Sequence, residues 1–437
     1  MEKHYKIYSE RRKEFQNKME KDSVAFFFSP QASVKSNDVH YPYRTDSDLY
    51  YLTGFSEEEV ILVLYNDDSL LYLRKRDPDM ETWNGKRLGF EKAPEVLGMD
   101  EGRNIENFKS DIHQLLKNKK NIYHHYGKNQ EHDILILKNS AGILSRARAG
   151  EFGPDRIFHL SSITHEMRLI KDAQEIALMK ECAEITREAH VEAMKMVRPG
   201  IYEYELDAKI MQTFKKYGGD FAYPSIVASG NNACILHYIE NNAVIKENDL
   251  ILIDAGAEKD YLNADVTRTF PASGTFTQAQ KTIYEIVLAA QKKAISSMIE
   301  NNNLENVHLD AVRILTEGLI ETGILTGSVD ENLEKQTYKK FYMHKTSHWL
   351  GRDVHDVGNY HLGKEFRPLQ NGMVATIEPG IYIEKDLPDI PDEFRGIGIR
   401  IEDDVLVKGN QPEVLTESIP KEISEIENLI LKNQSSE

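Results

Sequence analysis

Strongly apolar segments in the second half of the chain end in carboxylates. Residues 250–253, Leu-Ile-Leu-Ile, are typical of a buried strand and are followed directly by Asp254, and residues 373–377 are followed in the same way by Glu378. A charge at the end of a buried strand is unfavourable unless it is paired or bound to a cation. Any fold that buries these segments must therefore provide partners for both carboxylates.

A third carboxylate, Asp265, follows Asp254 after a predicted turn at residues 259–260. Period-two alternation along the next strand places Asp265, Thr267 and Thr269 on one face. A hairpin between the two strands would bring Asp254 and Asp265 together. Taken alone, the pair also fits a second interpretation, in which Asp254 caps a turn and Asp265 faces solvent.

A fourth carboxylate, Glu402, lies in the segment GIGIRIEDD. Isoleucines alternate along this segment, which predicts a strand with the isoleucines on one face and with Arg400 and Glu402 on the other. The alternative is a solvated face with an exposed ion pair, which would contribute little stability.

Three histidines, His344, His348 and His355, lie in one glycine-punctuated segment. A single histidine is more often a packed or surface residue, but three together favour a site, because imidazole binds metals and carries protons near neutral pH. Four carboxylates brought together would repel one another unless cations neutralised them. Oxygen-rich ligation with one imidazole suits hard divalent ions such as Mn²⁺, and two such ions serve the hydrolysis of amides and phosphates.

The composition narrows the classes of function. The 437 residues predict two or three domains, and 54 lysines and arginines against 71 aspartates and glutamates give a net charge of −17. This acidic balance argues against a general nucleic-acid binder, which needs a basic face. Two cysteines, no secretory signal and no apolar run long enough for a membrane helix predict a cytoplasmic protein without a membrane partner.

The chain is predicted to form two domains. Alternating helical and extended patterns in the first third predict a small α/β domain, and Gly150, Gly153 and Pro154 punctuate the chain after it. Beyond them, long helices and groups of strands are typical of an α+β sheet with helices on one face. The predicted domains are residues 1–165 and 166–437.

Five segments, in order, resemble the metal-binding signature of the pita-bread metallopeptidases. They are IDAG with Asp254, DVTRTF with Asp265, HKTSHWLGRDVHDVG with His348, TIEPGIYI with Glu378 and GIGIRIEDD with Glu402. Within that group the chain most resembles aminopeptidase P, whose amino-terminal motifs are similar to DVHYPYRTDSDLYYLTGF and ETWNGKRLG here. The resemblance implies an α+β pita-bread catalytic domain with a smaller α/β creatinase-type N-terminal domain.

The resemblance also implies a role for each matching residue. Asp254 would bind one metal ion terminally, while His348 and Glu378 would bind the second. Asp265 and Glu402 would bridge the two divalent ions, for which Mn²⁺ is expected. The residues implied in catalysis are His237, His344, His355 and Glu378, and those implied in substrate binding or ligand orientation are Asp38, Trp83, Tyr360, Tyr382 and Arg400.

By the same resemblance, the chain is a metal-dependent exopeptidase that releases the residue preceding proline, using a hydroxide activated by two metal ions. Its partners would be peptides with an Xaa-Pro N-terminus and further copies of the chain in a homodimer or homotetramer. Asp38 and Trp83 would complete the site from the same or a neighbouring subunit. Lys345 departs from the family pattern, which has glycine there, so the rim of the pocket is expected to differ.

Several related activities are alternatives. Prolidase, an Xaa-Pro dipeptidase, uses the same ligands on a similar two-domain chain. Methionine aminopeptidase needs no leading domain of this length, and creatine-type amidinohydrolases lose the metal ligands. A catalytically silent pita-bread protein that binds peptides or proteins would belong to a different class, but such proteins typically lose ligands that this chain keeps.

Overall fold

The computed structural model describes residues 4–434. The chain divides into two compact units, Met1–Arg168 and Leu169–Glu437. The extents predicted from the sequence, with a division after residue 165, stay a prediction. No helix among residues 4–434 is long and apolar enough to cross a membrane.

In its described part, from residue 4 onward, the first unit contains a six-stranded mixed sheet and seven α-helices. The strand order in the sheet is β6-β5-β4-β1-β7-β8. The strands are β1 (Ser23–Phe28), β2 (Val34–Ser36), β3 (Val39–His40), β4 (Ile61–Tyr65), β5 (Asp68–Leu73), β6 (Glu101–Asn104), β7 (Asn121–His124) and β8 (Arg156–Phe158). The helices are α1 (His4–Lys18), α2 (Ser47–Thr53), α3 (Pro78–Asn84), α4 (Ala93–Leu97), α5 (Phe108–Leu116), α6 (Gln130–Leu144) and α7 (Ser161–Leu169).

Both faces of this sheet are buried. Along β1, Val24 and Phe26 belong to one apolar cluster, while Ala25 and Phe27 belong to a second cluster. Successive side chains of a strand point to opposite faces, so a strand that is apolar throughout needs cover on both sides. This arrangement agrees with the α/β class predicted for the first domain.

Up to residue 434, the second unit is built from six α-helices and several short antiparallel sheets. The helices are α8 (Ala173–Met196), α9 (Glu203–Lys216), α10 (Gln278–Ser296), α11 (Leu304–Glu321), α12 (Val329–Glu334) and α13 (Ile423–Gln434). The strands are β9 (Asp220–Phe221), β10 (Ile226–Ser229), β11 (Leu250–Asp254), β12 (Ala257–Lys259), β13 (Leu262–Asn263), β14 (Thr267–Pro271), β15 (His361–Leu362), β16 (Glu365–Phe366), β17 (Val374–Ile377), β18 (Gly380–Ile383), β19 (Ile397–Arg400), β20 (Asp403–Leu406) and β21 (Glu413–Val414).

Capping side chains set where the long helices begin. The carboxylate of Asp172 accepts hydrogen bonds from the backbone N–H groups of Gln174 and Glu175, so α8 begins at Ala173. The helical pattern of the sequence predicts a helix over residues 308–322, which starts too late. That helix begins at Leu304 because the side chain of Asn303 accepts a hydrogen bond from the backbone N–H of Asn306.

The predicted hairpin between Asp254 and Asp265 is present. Strand β11 pairs antiparallel with β14, with Asp254 opposite Thr267, and the short β12–β13 hairpin lies between them. Asp260 and Tyr261 form its turn in the left-handed conformation, with φ of 50° and 62°. Asp254 therefore ends one strand, and Asp265 lies just before the neighbouring one.

The strand predicted in the segment GIGIRIEDD, residues 396–404, is interrupted. It ends at Arg400 and resumes at Asp403, so Glu402 lies in the break. The backbone N–H of Glu402 donates to the carbonyl of Thr267 at 3.0 Å, so Glu402 belongs neither to the β18–β19 pairing nor to the β17–β20 pairing. Glu378 lies in a similar break between β17 and β18.

Candidate metal centre

The structure brings the predicted metal ligands into one buried cluster. Asp265, His348 and Glu402 each present a ligand atom, and these atoms lie within 4.8 Å of one another. The Nε2 atom of His348 is 3.3 Å from Oδ2 of Asp265 and 3.5 Å from Oε1 of Glu378. Asp265 and Glu402 are 5% and 2% exposed, so the solvent-facing alternatives considered for both are wrong.

Asp254 joins this cluster through Tyr223, which was not predicted from the sequence. The Tyr223 hydroxyl is 2.6 Å from Oδ1 of Asp254 and 2.5 Å from Oδ1 of Asp265. The two strands can approach closely here because a Cβ at Gly256 would lie only 1.8 Å from the carbonyl oxygen of Ala264. Burial and the neighbouring carboxylates raise the pKa of Tyr223 well above its usual value, so its hydroxyl stays protonated.

The cluster carries more negative charge than the positively charged side chains around it neutralise. Burial and the repulsion of Asp265 and Asp254 raise the pKa of Glu378 to about 7, although His348 and Arg400 partly oppose the shift. The same causes raise the pKa of Glu402 well above its usual value. Bound cations would relieve this repulsion, and four carboxylates with one imidazole suit hard divalent ions. The residues present therefore fit the predicted metal site.

The ring of His348 is held in one orientation. Its Nδ1 atom lies 3.0 Å from the carbonyl oxygen of Trp349, so this nitrogen carries a proton and Nε2 faces the carboxylates. Burial alone would lower the pKa of His348, but the contact with Asp265 and the charge of Glu378 raise it to about 9. Such a carbonyl contact on the outer nitrogen is common for histidines that bind metals.

Arg400 and Thr267 connect two of the predicted ligands. Arg400 donates from Nη2 to Oδ2 of Asp254 at 2.6 Å, from Nη1 to the hydroxyl of Tyr382 at 3.0 Å and from Nε to Oγ1 of Thr267 at 3.0 Å. The Thr267 hydroxyl in turn donates to Oε2 of Glu402 at 2.7 Å. One buried guanidinium therefore orients carboxylates that are far apart in the sequence.

His344 lies at the edge of the cluster. Its Nε2 atom is 2.8 Å from the hydroxyl of Tyr382, and its Nδ1 atom is 2.8 Å from the carbonyl of Lys345 and 3.7 Å from Oε2 of Glu378. Burial and the charge of Arg400 lower the pKa of His344 to about 3, so the ring is neutral near neutral pH.

The other predicted residues are more exposed. The ring of His355 lies edge-on to His348 with centroids 4.4 Å apart, and His237 is exposed on a loop. The hydroxyl of Tyr360 accepts a hydrogen bond from the backbone N–H of Trp349 at 3.1 Å, and the two rings stack. In the first unit Asp38 is exposed and Trp83 is 85% exposed, and their participation stays a prediction.

A cavity of about 560 Å³ borders this region. Its walls come from the start of α11, the segment around Lys345 and the β15–β16 hairpin, and they include Trp349 and Tyr360. At its edge, Nζ of Lys345 is 2.9 Å from Oε2 of Glu305. A glycine at position 345 would lack this ion pair, so Lys345 gives this wall of the cavity a charged side chain.

A second group of possible metal ligands lies in the first unit but is already neutralised. Asp46, Asp48 and His125 present ligand atoms within 4.8 Å of one another. However, Arg168 donates to Asp48 at 2.7 Å, the hydroxyl of Thr164 donates to it at 2.7 Å, and His125 contacts it at 3.0 Å. The buried carboxylate therefore has its positive partner within the protein.

Two family descriptions match the sequence. Residues 177–409 match metallopeptidase family M24, and residues 8–123 match the aminopeptidase P N-terminal domain. The chain belongs to metallopeptidase family M24. These two matches, together with the aminopeptidase P structures described next, confirm the predicted resemblance and the predicted fold class, an α+β pita-bread domain with a smaller α/β creatinase-type N-terminal domain.

Relatives in family M24 match the chain along nearly its whole length. The Xaa-Pro aminopeptidases of Haemophilus influenzae and Escherichia coli are 42% and 40% identical to it over 97% of the chain, and the match covers 96% and 97% of those proteins. Among solved structures, Pseudomonas aeruginosa aminopeptidase PepP matches with 42% identity and a TM-score of 0.97. An E. coli aminopeptidase P variant in complex with substrate matches with 39% identity and a TM-score of 0.95. Each match covers 99% of both chains.

Proposed function

We propose that the chain is a metal-dependent exopeptidase that releases the N-terminal residue of peptides with proline at the second position. The observation that carries this proposal is the buried cluster of four carboxylates and one imidazole, in which the pKa of Glu378 is raised to about 7 and that of Glu402 well above its usual value. Similarity over 97% of the chain to bacterial Xaa-Pro aminopeptidases supports the same activity.

Asp254, Asp265, His348, Glu378 and Glu402 are proposed to hold two divalent metal ions. Mn²⁺ is the proposed ion, because these ligands are mostly carboxylate oxygens and include none of the thiolates that favour Zn²⁺. When bound, the two ions would supply an activated water and polarise the scissile carbonyl. Arg400, Thr267 and Tyr223 support the carboxylates by the hydrogen bonds described above, which would keep them oriented toward the ions.

Other residues of the site are proposed to handle the substrate. Glu378 faces His344 and is placed to take up a proton and pass it to the leaving proline nitrogen. The two ring nitrogens of His344 already contact Tyr382 and the carbonyl of Lys345, so His344 serves best as a fixed wall. His237 is proposed to steady the scissile carbonyl from its exposed loop.

Recognition of proline needs a shaped pocket. An Xaa-Pro bond has no N–H, and the proline ring fixes φ, so ordinary backbone pairing cannot select it. His355 beside His348 and Tyr360 stacked on Trp349 are proposed as walls for the pyrrolidine ring. These aromatic faces would pack on the ring without needing a hydrogen-bond donor.

The proposal extends to the assembly and location of the protein. A homodimer or homotetramer in the cytoplasm is proposed, with peptide substrates and no nucleic-acid partner. The almost fully exposed Trp83 supports self-association, because a large exposed aromatic ring is a common centre of protein interfaces. Asp38 and Trp83 would then contribute to a site from their own or a neighbouring subunit.

The test combines metal analysis with turnover of an Xaa-Pro-Pro peptide and of Gly-Pro. We expect Mn²⁺-dependent release of the first residue from the longer peptide, and loss of that activity in Asp265→Asn. Asp260→Asn is the control, because Asp260 lies exposed at the nearby hairpin turn. Full activity in metal-free buffer would overturn the site assignment, and exclusive cleavage of Gly-Pro would identify a prolidase instead.

A further inference from the structure

Glu203 is a completely buried carboxylate outside the metal cluster. It is the first residue of α9 and is 0% exposed. Among residues 4–434 no lysine, arginine or histidine forms an ion pair with it. A buried charge without a counterion is strongly unfavourable unless hydrogen bonds compensate for the lost water.

Five hydrogen bonds provide this compensation. Oε1 accepts from the backbone N–H of Ser229 at 2.7 Å, from the Ser229 hydroxyl at 2.7 Å and from Nδ2 of Asn232 at 3.1 Å. Oε2 accepts from the hydroxyl of Tyr238 at 2.8 Å and from the backbone N–H of Ala243 at 2.8 Å. The position at a helix N-terminus also favours a negative charge.

All five donors belong to one segment, residues 229–243, which we call the His237 loop. One carboxylate oxygen holds its beginning at Ser229 and Asn232, and the other holds its later part at Tyr238 and Ala243. Between Cys234 and Ala243 this loop has no helix or strand to define its shape. Its conformation therefore depends on side-chain hydrogen bonds. Five of these converge on Glu203, while Asn241 makes two others, accepting from the backbone N–H of Val227 and donating to the carbonyl of Ser225.

We propose that Glu203 is a positioning residue that sets the conformation of the His237 loop and thereby aligns His237 with the substrate. This inference rests on the proposed role of His237 at the scissile carbonyl. His237 directly precedes Tyr238, so a shift of the Tyr238 anchor moves the imidazole with it. A misplacement of about 1 Å in a catalytic group can reduce the rate about 100-fold.

Glu203→Gln tests the proposal with the least change in shape. The amide –NH₂ would face donors whichever way it turned. The backbone N–H of Ser229 or of Ala243 would then lose its acceptor, and the neighbouring hydroxyl would have to turn and accept instead of donate. We expect kcat on an Xaa-Pro-Pro peptide to fall about 10- to 100-fold, with a smaller change in KM and unchanged metal content. Glu205→Gln is the matched control, because Glu205 lies in the same helical turn and its side chain accepts a local hydrogen bond from the backbone N–H of Tyr202.

A double-mutant cycle separates positioning from general support of the fold. If Glu203 acts through His237, Glu203→Gln added to His237→Ala should lower kcat little further. Losses that multiply in the double variant, or wild-type kcat in Glu203→Gln, would overturn the inference and leave the proposed function intact. Full activity of His237→Ala would instead overturn the proposed role of His237.

A milder variant covers the case in which Glu203→Gln does not fold. Tyr238→Phe removes one of the five donors and leaves the carboxylate with four. We expect a smaller fall in kcat that also disappears in the His237→Ala background. A fall that persists unchanged in that background would overturn the inference.

Discussion

Replacing Thr267 by valine should weaken metal binding while leaving the shape of the site nearly unchanged. Thr267 is fully buried between Arg400 and Glu402. Its hydroxyl donates to Oε2 of Glu402 at 2.7 Å and accepts from Nε of Arg400 at 3.0 Å. Valine has the same branched shape but can make neither hydrogen bond, so both charged neighbours would lose a contact.

The expected magnitude follows from these two contacts. A hydrogen bond to a charged group contributes about 1.5–3 kcal/mol, and both partners here are buried, so the apo protein should also be destabilised. Loss of a group that orients a metal ligand typically reduces metal affinity about 10- to 100-fold. For Thr267→Val we therefore expect a loss of about 1.4–2.8 kcal/mol in the binding of Mn²⁺.

Thr269→Val provides a closely matched control. Thr269 lies two residues along the same strand and is also fully buried. Its hydroxyl donates a hydrogen bond to the backbone carbonyl of Arg400 at 2.9 Å. Neither of its hydrogen bonds with the backbone of Arg400, one donated and one accepted by the Thr269 hydroxyl, involves a carboxylate of the cluster. Both variants should therefore lose stability, but only Thr267→Val should lose metal affinity.

Calorimetric titration of the metal-free variants with Mn²⁺, alongside kcat/KM on an Xaa-Pro-Pro peptide, distinguishes the two effects. Unchanged affinity in Thr267→Val would refute the role of this hydroxyl in orienting Glu402. Equal losses of affinity in the two variants would show that the effect arises from general destabilisation.

Two further predictions concern protonation. Burial raises the pKa of Glu378 to about 7 and that of Glu402 well above its usual value. Metal binding near pH 7 should therefore release protons, and the affinity for the metal should rise between about pH 6 and about pH 8. Calorimetry in buffers of different ionisation enthalpy would measure the proton release, and binding without it would contradict the prediction. Asp48→Asn should destabilise the first unit by about 3–5 kcal/mol, because Arg168 stays buried without this carboxylate. Burial alone would raise the pKa of Asp48, but Arg168 and His125 hold it well below its usual range, so the wild-type contribution is present above about pH 4 and is lost as the pH falls further. Thermal unfolding across this range should show a steeper loss for the wild type than for the variant, and parallel curves would count against the reasoning.

Local patterns accounted for most of the secondary structure. The continuous apolar run of β1 and the caps of the long helices depend on residues a few positions apart, so the sequence contains the relevant signal. The start predicted for α11 was too late, which shows that the apolar pattern alone does not define where a helix begins. Asn303 was a capping signal that the apolar pattern did not reveal.

The predicted site depended on motifs, and its geometry depended on the fold. Asp254, Asp265, His348, Glu378 and Glu402 could be selected because each stands beside a recognisable segment. Neither Tyr223 nor Glu203 carries such a signal, since each is an ordinary residue in the sequence. Their importance arises only from hydrogen bonds that the folded chain creates.

The sequence by itself determined which segments are buried and which charged residues end them. This follows from hydrophobic periodicity and from the free energy needed to bury a charge, both of which are local properties. Only the tertiary structure decided which groups compensate those charges. Arg400 reaches Asp254 across 146 positions of the chain, and Thr267 reaches Glu402 across 135. Contacts over such separations depend on strand pairing and side-chain packing, which local sequence patterns do not encode.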